Sequence, residues 1–136
     1  MFNETIVPYI NDRGNRPMVF VNIGRYGYTR PILALIDYGA DYTLFPFEYG
    51  ESLNIDFTEA RIEIREVSQA FETISQKVYV TSEEMELVDC GIKVSSEIHW
   101  VEKLRIPLLG RKGFFDRFDE VVFNENNKKV TLKKLK

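Results

Sequence analysis

Cysteine and histidine each occur once, as Cys90 and His99, and no long apolar run is present. A single cysteine excludes an internal disulfide, and one cysteine with one histidine cannot supply the thiolate and imidazole ligands of a structural zinc site. Nothing in the sequence places Cys90 beside His99, and Cys90 lacks the glycine elbow of a nucleophile at a helix start. Spanning a bilayer takes about 18 apolar residues, so membrane insertion is not expected. No charge dominates either: 18 Lys and Arg face 21 Asp and Glu, a net charge of −3. That balance gives no general reason to expect nucleic acid or an anionic membrane as partner. The basic run from Lys128 to Lys136 reads as a solvated strand face. Glu83, Glu84, Glu86 and Asp89 do not have the spacing of a calcium loop, and Gly24 and Gly27 lack the Gly-Lys-Ser/Thr ending of a phosphate loop. Met1-Phe2-Asn3-Glu4 has neither the basic region nor the apolar stretch of a secretory signal, so the cytoplasm is the expected location.

What is present suits one globular domain spanning residues 1–136. Of these residues 44% are hydrophobic and 13% aromatic, enough to bury a core. Period-two patterns and turn residues dominate. Met18 to Ile23 and Thr29 to Ile36 read as strands around the Gly24–Gly27 turn. Phe47 to Leu53 fits a short helix weakened by Gly50. Alternating Ile62 and Ile64, then Ile74, Val78 and Val80, flank the polar tip Ser68 to Thr73. The acidic stretch at 83–86 reads as a solvent-facing turn, Ile92 to Val101 as a strand, and Trp100 as a core residue. Ile106 to Leu109 reads as a short strand closed by Gly110. Phe114, Phe115 and Phe118 have the spacing of one helical face over 111–118, and Glu120 to Leu132 reads as a hairpin.

The most informative segment is 32–41, an apolar strand running into Asp37 and a tight glycine turn, Tyr38-Gly39-Ala40-Asp41. It resembles the Asp-Thr/Ser-Gly-Ala-Asp signature of retroviral-type (retropepsin-like) aspartic peptidases, with Tyr38 in the small-hydroxyl position. Leu108-Leu109-Gly110-Arg111 is similar to the family's second signature, and the order of elements matches over roughly 17–132. The resemblance implies an all-β, retropepsin-like acid-protease barrel with one short C-terminal helix, acting as a homodimer. It implies a catalytic Asp37 from each subunit, brought together because a residue on a twofold axis meets its own copy. No second Asp-x-Gly turn follows a second apolar strand in a suitable place, so a two-carboxylate site would have to come from two chains.

By the same resemblance, Gly39, Ala40 and Asp41, with the flap residues Ser68, Gln69, Ala70 and Phe71, contact a peptide or protein substrate. Tyr38, Gly110 and Arg111 support the site, Arg111 through a fork-like pairing with Asp41. Two carboxylates sharing one proton can activate water and polarise a carbonyl with no metal or cofactor. The expected activity is therefore endopeptidase cleavage of extended segments. Two departures stand out. A tyrosine hydroxyl lies too far from its backbone to make the short cross-dimer bond of Thr or Ser, and the flap tip has no glycine. The alternative expectation is a catalytically weak or inactive dimerisation or peptide-binding module.

Overall fold

The computed structural model describes residues 2–10, 16–24, 30–69 and 71–135. Ala70 and most of the Gly24–Gly27 turn, with Thr29, lie outside the described residues. β2 (Met18–Ile23), β3 (Ile32–Ile36), β4 (Leu44–Pro46), β5 (Arg61–Gln69), β6 (Glu72–Leu87), β7 (Ile92–Val101) and β8 (Leu108–Leu109) form one sheet, in the order β2-β3-β8-β4-β7-β6-β5. A further pairing of β2 with β6, Val21 opposite Leu87, closes six of these strands into a ring. Closure removes the open edges that would otherwise template aggregation. β5 stays outside it, paired with the first part of β6 as a long hairpin. A second, three-stranded sheet has the order β1-β10-β9, from β1 (Phe2–Pro8), β9 (Glu120–Asn124) and β10 (Lys129–Leu135).

Alternation makes the core. Ile32, Ala34 and Ile36 of β3 point inward with Val19, Val21, Met85, Leu87, Ile98, Trp100 and Leu109, and Val7, Val130 and Leu132 of the small sheet join the same cluster. Trp100 is fully buried, as expected, and its indole N–H donates to Thr81 Oγ1 at 2.9 Å. A second apolar cluster, Leu44, Val67, Val78, Val80 and Val101, lies under the base of the β5–β6 hairpin.

Three local expectations change. The acidic stretch 83–86 is not a turn but part of β6, where buried Met85 alternates with exposed Glu84. Residues 111–118 form no α-helix beyond a single 3₁₀ turn at Phe115–Arg117. Gly113 has φ +102°, outside the helical range, and the amides of Phe115 and Asp116 bond five residues back, to the carbonyls of Gly110 and Arg111, so no α-helical ladder forms there. The six-residue helix α1 lies at Phe47–Ser52, within the segment that reads as helical. The N-terminal strand β1 had no clear pattern to announce it. No helix among the described residues is long and apolar enough to cross a membrane.

Candidate active site

Asp37 follows the last residue of β3, and its backbone N–H donates to Leu109 O at 3.0 Å, continuing the parallel β3–β8 pairing by one step. The chain then turns: Gly39 N–H donates to Asp37 Oδ1 at 2.8 Å and Ala40 N–H to Asp37 O at 3.2 Å. A Cβ on Gly39 would stand 3.1 Å from Asp37 Oδ1, so glycine leaves the carboxylate its place. The turn residues are half-buried or exposed, which keeps Asp37 accessible at the end of a strand whose side chains anchor in the core.

Beyond the turn the chain runs alongside residues 109–112. Arg111 N–H donates to Ala40 O at 2.8 Å, Lys112 N–H to Asp41 O at 3.0 Å, and Thr43 N–H to Lys112 O at 3.1 Å. β4 then enters on the far side of β8, so consecutive strands β3 and β4 enclose β8 between them. At the crossing, a Cβ on Gly110 would lie 2.1 Å from Tyr42 O and 2.7 Å from Ala40 O. Only a residue without a side chain fits there. Fully buried Thr43 completes the lock, its hydroxyl donating to Lys112 O at 3.0 Å and accepting from Gly110 N–H at 3.2 Å.

Asp41 and Arg111 do approach each other, but by one contact of 3.9 Å between Nη1 and Oδ1, with side chains 77% and 55% exposed. That is a loose surface pair of small energetic weight, not the expected fork. The backbone bonds join the two segments instead. The Arg111 guanidinium lies over the Tyr38 ring, 4.8 Å from its centroid, and Phe115 meets the same ring edge-on at 5.2 Å. Tyr38 is nevertheless 58% exposed, held beside Asp37 with a large aromatic surface in solvent.

The hairpin tip carries the other predicted residues. Ser68 pairs with Thr73 and Gln69 with Glu72, the last pairs of the β5–β6 ladder. Ser68 Oγ and Thr73 Oγ1 are 2.8 Å apart, and Phe71 is fully exposed. Among the described residues, no hydrogen bond or ion pair joins this tip to Asp37 within one chain.

Sequence reasoning missed a polar cluster at the hairpin base. The charged side of β5, Arg61, Glu63 and Arg65, faces the barrel, while Ile62 and Ile64 point outward. His99 of β7 is buried and stacks on Tyr42 at 4.3 Å. Arg65 contacts His99 Nδ1 and lies 4.5 Å over the Tyr42 ring. Glu97 Oε1 accepts from His99 Nε2 at 2.9 Å and from Arg61 at 3.1 Å, and Lys112 is 3.4 Å from Glu97 Oε2. Burial holds the His99 pKa below its usual value; the bond to Glu97 opposes this and the Arg65 charge reinforces it. Burial raises the Glu97 pKa, but the bonds from His99 and Arg61 and the Lys112 charge outweigh it and lower the carboxyl overall. The hydrogen bond from Arg61 likewise lowers Glu63. The signal available in the sequence was the Arg-x-Glu-x-Arg alternation in a strand, with one histidine to receive it.

Neither a protein-family model nor a curated protein matches the sequence. Solved structures do match. A retropepsin-like aspartic protease from Rickettsia conorii superposes with a TM-score of 0.63 at 17% identity, covering 98% of this chain and 92% of that one. The EIAV protease complexed with the inhibitor HBY-793 gives a TM-score of 0.51 at 17% identity, covering 77% of this chain and 88% of that one. The chain has the mostly β fold of retropepsin-like aspartic proteases.

Proposed function

We propose that residues 1–136 form one retropepsin-like domain that acts, as a homodimer, as an aspartic endopeptidase on extended peptide or protein segments. The observation that supports this most directly is Asp37 itself: an accessible carboxylate at the end of a core strand, in a segment, 37–43, tied by four backbone bonds to residues 109–112. Catalysis of this type needs a carboxylate held rigidly, because a misplacement of about 1 Å can cost on the order of a hundredfold in rate.

In the dimer the two Asp37 carboxylates meet across the twofold axis. Two like charges that close repel, so the proposed chemistry uses the pair with one shared proton. The ionised carboxylate takes a proton from water, and the protonated one hydrogen-bonds the scissile carbonyl. Gly39, Ala40 and Asp41 on one side and the Ser68–Phe71 tip on the other hold the substrate main chain by strand-like hydrogen bonding. One protomer offers half of this cleft.

Tyr38 favours a second reading. An exposed ring clamped between Arg111 and Phe115 next to Asp37 can fill the dimer axis and hold the carboxylates apart, leaving a module that dimerises and binds peptide without cutting it. Purified protein and its Asp37→Asn variant, incubated with a mixed peptide library from acidic to neutral pH, separate the two by mass spectrometry of new termini. Cleavage by the parent that the variant lacks is the expected result. A sample that sediments as a dimer yet cleaves at no pH overturns the peptidase reading in favour of the binding module.

A further inference from the structure

The β5–β6 hairpin runs out beyond the barrel. β6 pairs with β7 only from Val78 onward, so the described residues of 66–76 have no third strand beside them. A two-stranded ribbon is marginal in water, and polar contacts hold this one at its base. Gln76 bonds the backbone of Lys103 in both directions, Nε2 donating to O at 3.1 Å and Oε1 accepting from N–H at 2.7 Å. On β5, Arg61 reaches Glu97 of β7 at 3.1 Å, and Arg65, nearer the tip, contacts His99.

The chemistry of this last contact leaves little freedom. A guanidinium stays protonated and has only donors, so the ring nitrogen it meets, Nδ1, must accept. The ring proton then sits on Nε2, where Glu97 Oε1 receives it at 2.9 Å. A neutral imidazole in the Nε2–H form satisfies both neighbours; a proton on Nδ1 removes the lone pair Arg65 needs and sets two cations in contact.

We infer that His99 is a positioning residue for the hairpin: its neutral ring latches Arg65 of β5 to β7 and to Tyr42 beside the Asp37 turn, and protonation of Nδ1 releases it. The charged groups around the ring are Arg61, Glu63 and Arg65 from β5, Glu97 from β7 itself and Lys112 from the segment after β8. Tyr42 covers one ring face, and the register partners Leu44 of β4 and Val80 of β6 are apolar. Both carboxylates are already engaged, Glu97 with Arg61 and Lys112 and Glu63 with Arg61 and Arg65.

The sign follows from linkage. The latched ring titrates below the usual value, for which burial is the first cause, and a released ring titrates nearer to about 6.5. Between those two values the released state binds more protons, so the latch is complete above about pH 6.5 and weakens as pH falls. Each unit of difference corresponds to an about tenfold rise in hairpin opening. The latch does not depend on Asp37 being catalytic, and its test needs no activity.

Because His99 is the sole histidine, the ring ¹⁵N signals of the unmodified protein give its tautomer and titration directly. Hydrogen exchange at residues 66–76, corrected for intrinsic rates, gives hairpin opening at each pH. The expected result is an Nε2–H ring at neutral pH and loss of protection in step with the His99 titration. His99→Gln, whose amide can accept from Arg65 and donate to Glu97, is expected to protect the hairpin independently of pH. Arg65→Met is expected to leave it open at every pH and to raise the His99 pKa. An Nδ1–H ring in the protected state, protection that ignores the titration, or a His99 pKa unmoved in Arg65→Met overturns the inference.

Discussion

Gly110 and Thr43 decide whether the Asp37 turn exists at all. A methyl at position 110 would enter the backbone of Tyr42, where no side-chain rotation can relieve it. Overpacking against flexible neighbours costs about 1–3 kcal/mol, and a clash with fixed backbone more. Gly110→Ala is accordingly expected to abolish the native fold, read as loss of cooperative unfolding in urea. Thr43→Val keeps the shape but strands the Gly110 N–H and one acceptor contact of Lys112 O. The expected loss is about 1–3 kcal/mol, the cost of a buried group left unpaired, measured from the denaturation midpoint. The sequence made Asp37 and Gly110 visible because each lies beside an apolar strand. Thr43 was hidden, since one threonine between a turn and a strand looks like any other.

At the scale of elements, strand positions were legible and their facing was not. β2, β7 and the β9–β10 hairpin follow period-two patterns or turn residues that local chemistry sets. β5 has the same pattern, yet its charged side faces the barrel and Ile64 is 65% exposed. Alternation gives a period without a direction; the direction comes from His99 and Glu97 on a strand far away in sequence. α1 raises a similar question. Gly50 is a poor helix former, but a Cβ there would come 2.6 Å from Phe57 Cζ and 3.0 Å from Trp100 Cε3. Ala normally gains about 1 kcal/mol over Gly in a helix interior. Here two packed rings must move, at about 1–3 kcal/mol, so Gly50→Ala is expected to destabilise the protein. The sole tryptophan reports it: the fluorescence of Trp100 should change in the folded variant and its unfolding midpoint should fall.

For the whole molecule, pH acts through the same cluster. His99, Glu97 and Glu63 all titrate below their usual values, so the unfolded chain binds more protons and stability falls on acidification. The loss begins below about pH 6.5 with His99 and deepens through the carboxylate range. Thermal unfolding followed between pH 8 and pH 4 should show a falling midpoint, with the first part absent in His99→Gln.

Subunit mixing examines the proposed active unit more directly than any single variant. Asp37 is the single carboxylate that each chain would bring to the proposed site, and a twofold axis doubles it. Suppose subunits exchange freely and a dimer of one parent and one Asp37→Asn subunit is inactive. Adding an equal amount of Asp37→Asn to a fixed amount of parent protein then leaves about a quarter of all dimers fully paired, so total activity drops to about half. Further variant should lower it in proportion to the parent fraction. Activity that holds constant, in a mixture shown by mass spectrometry to contain mixed dimers, would mean that one Asp37 suffices; the second carboxylate would then have to be sought within the same chain, and the twofold axis would lose its chemical role.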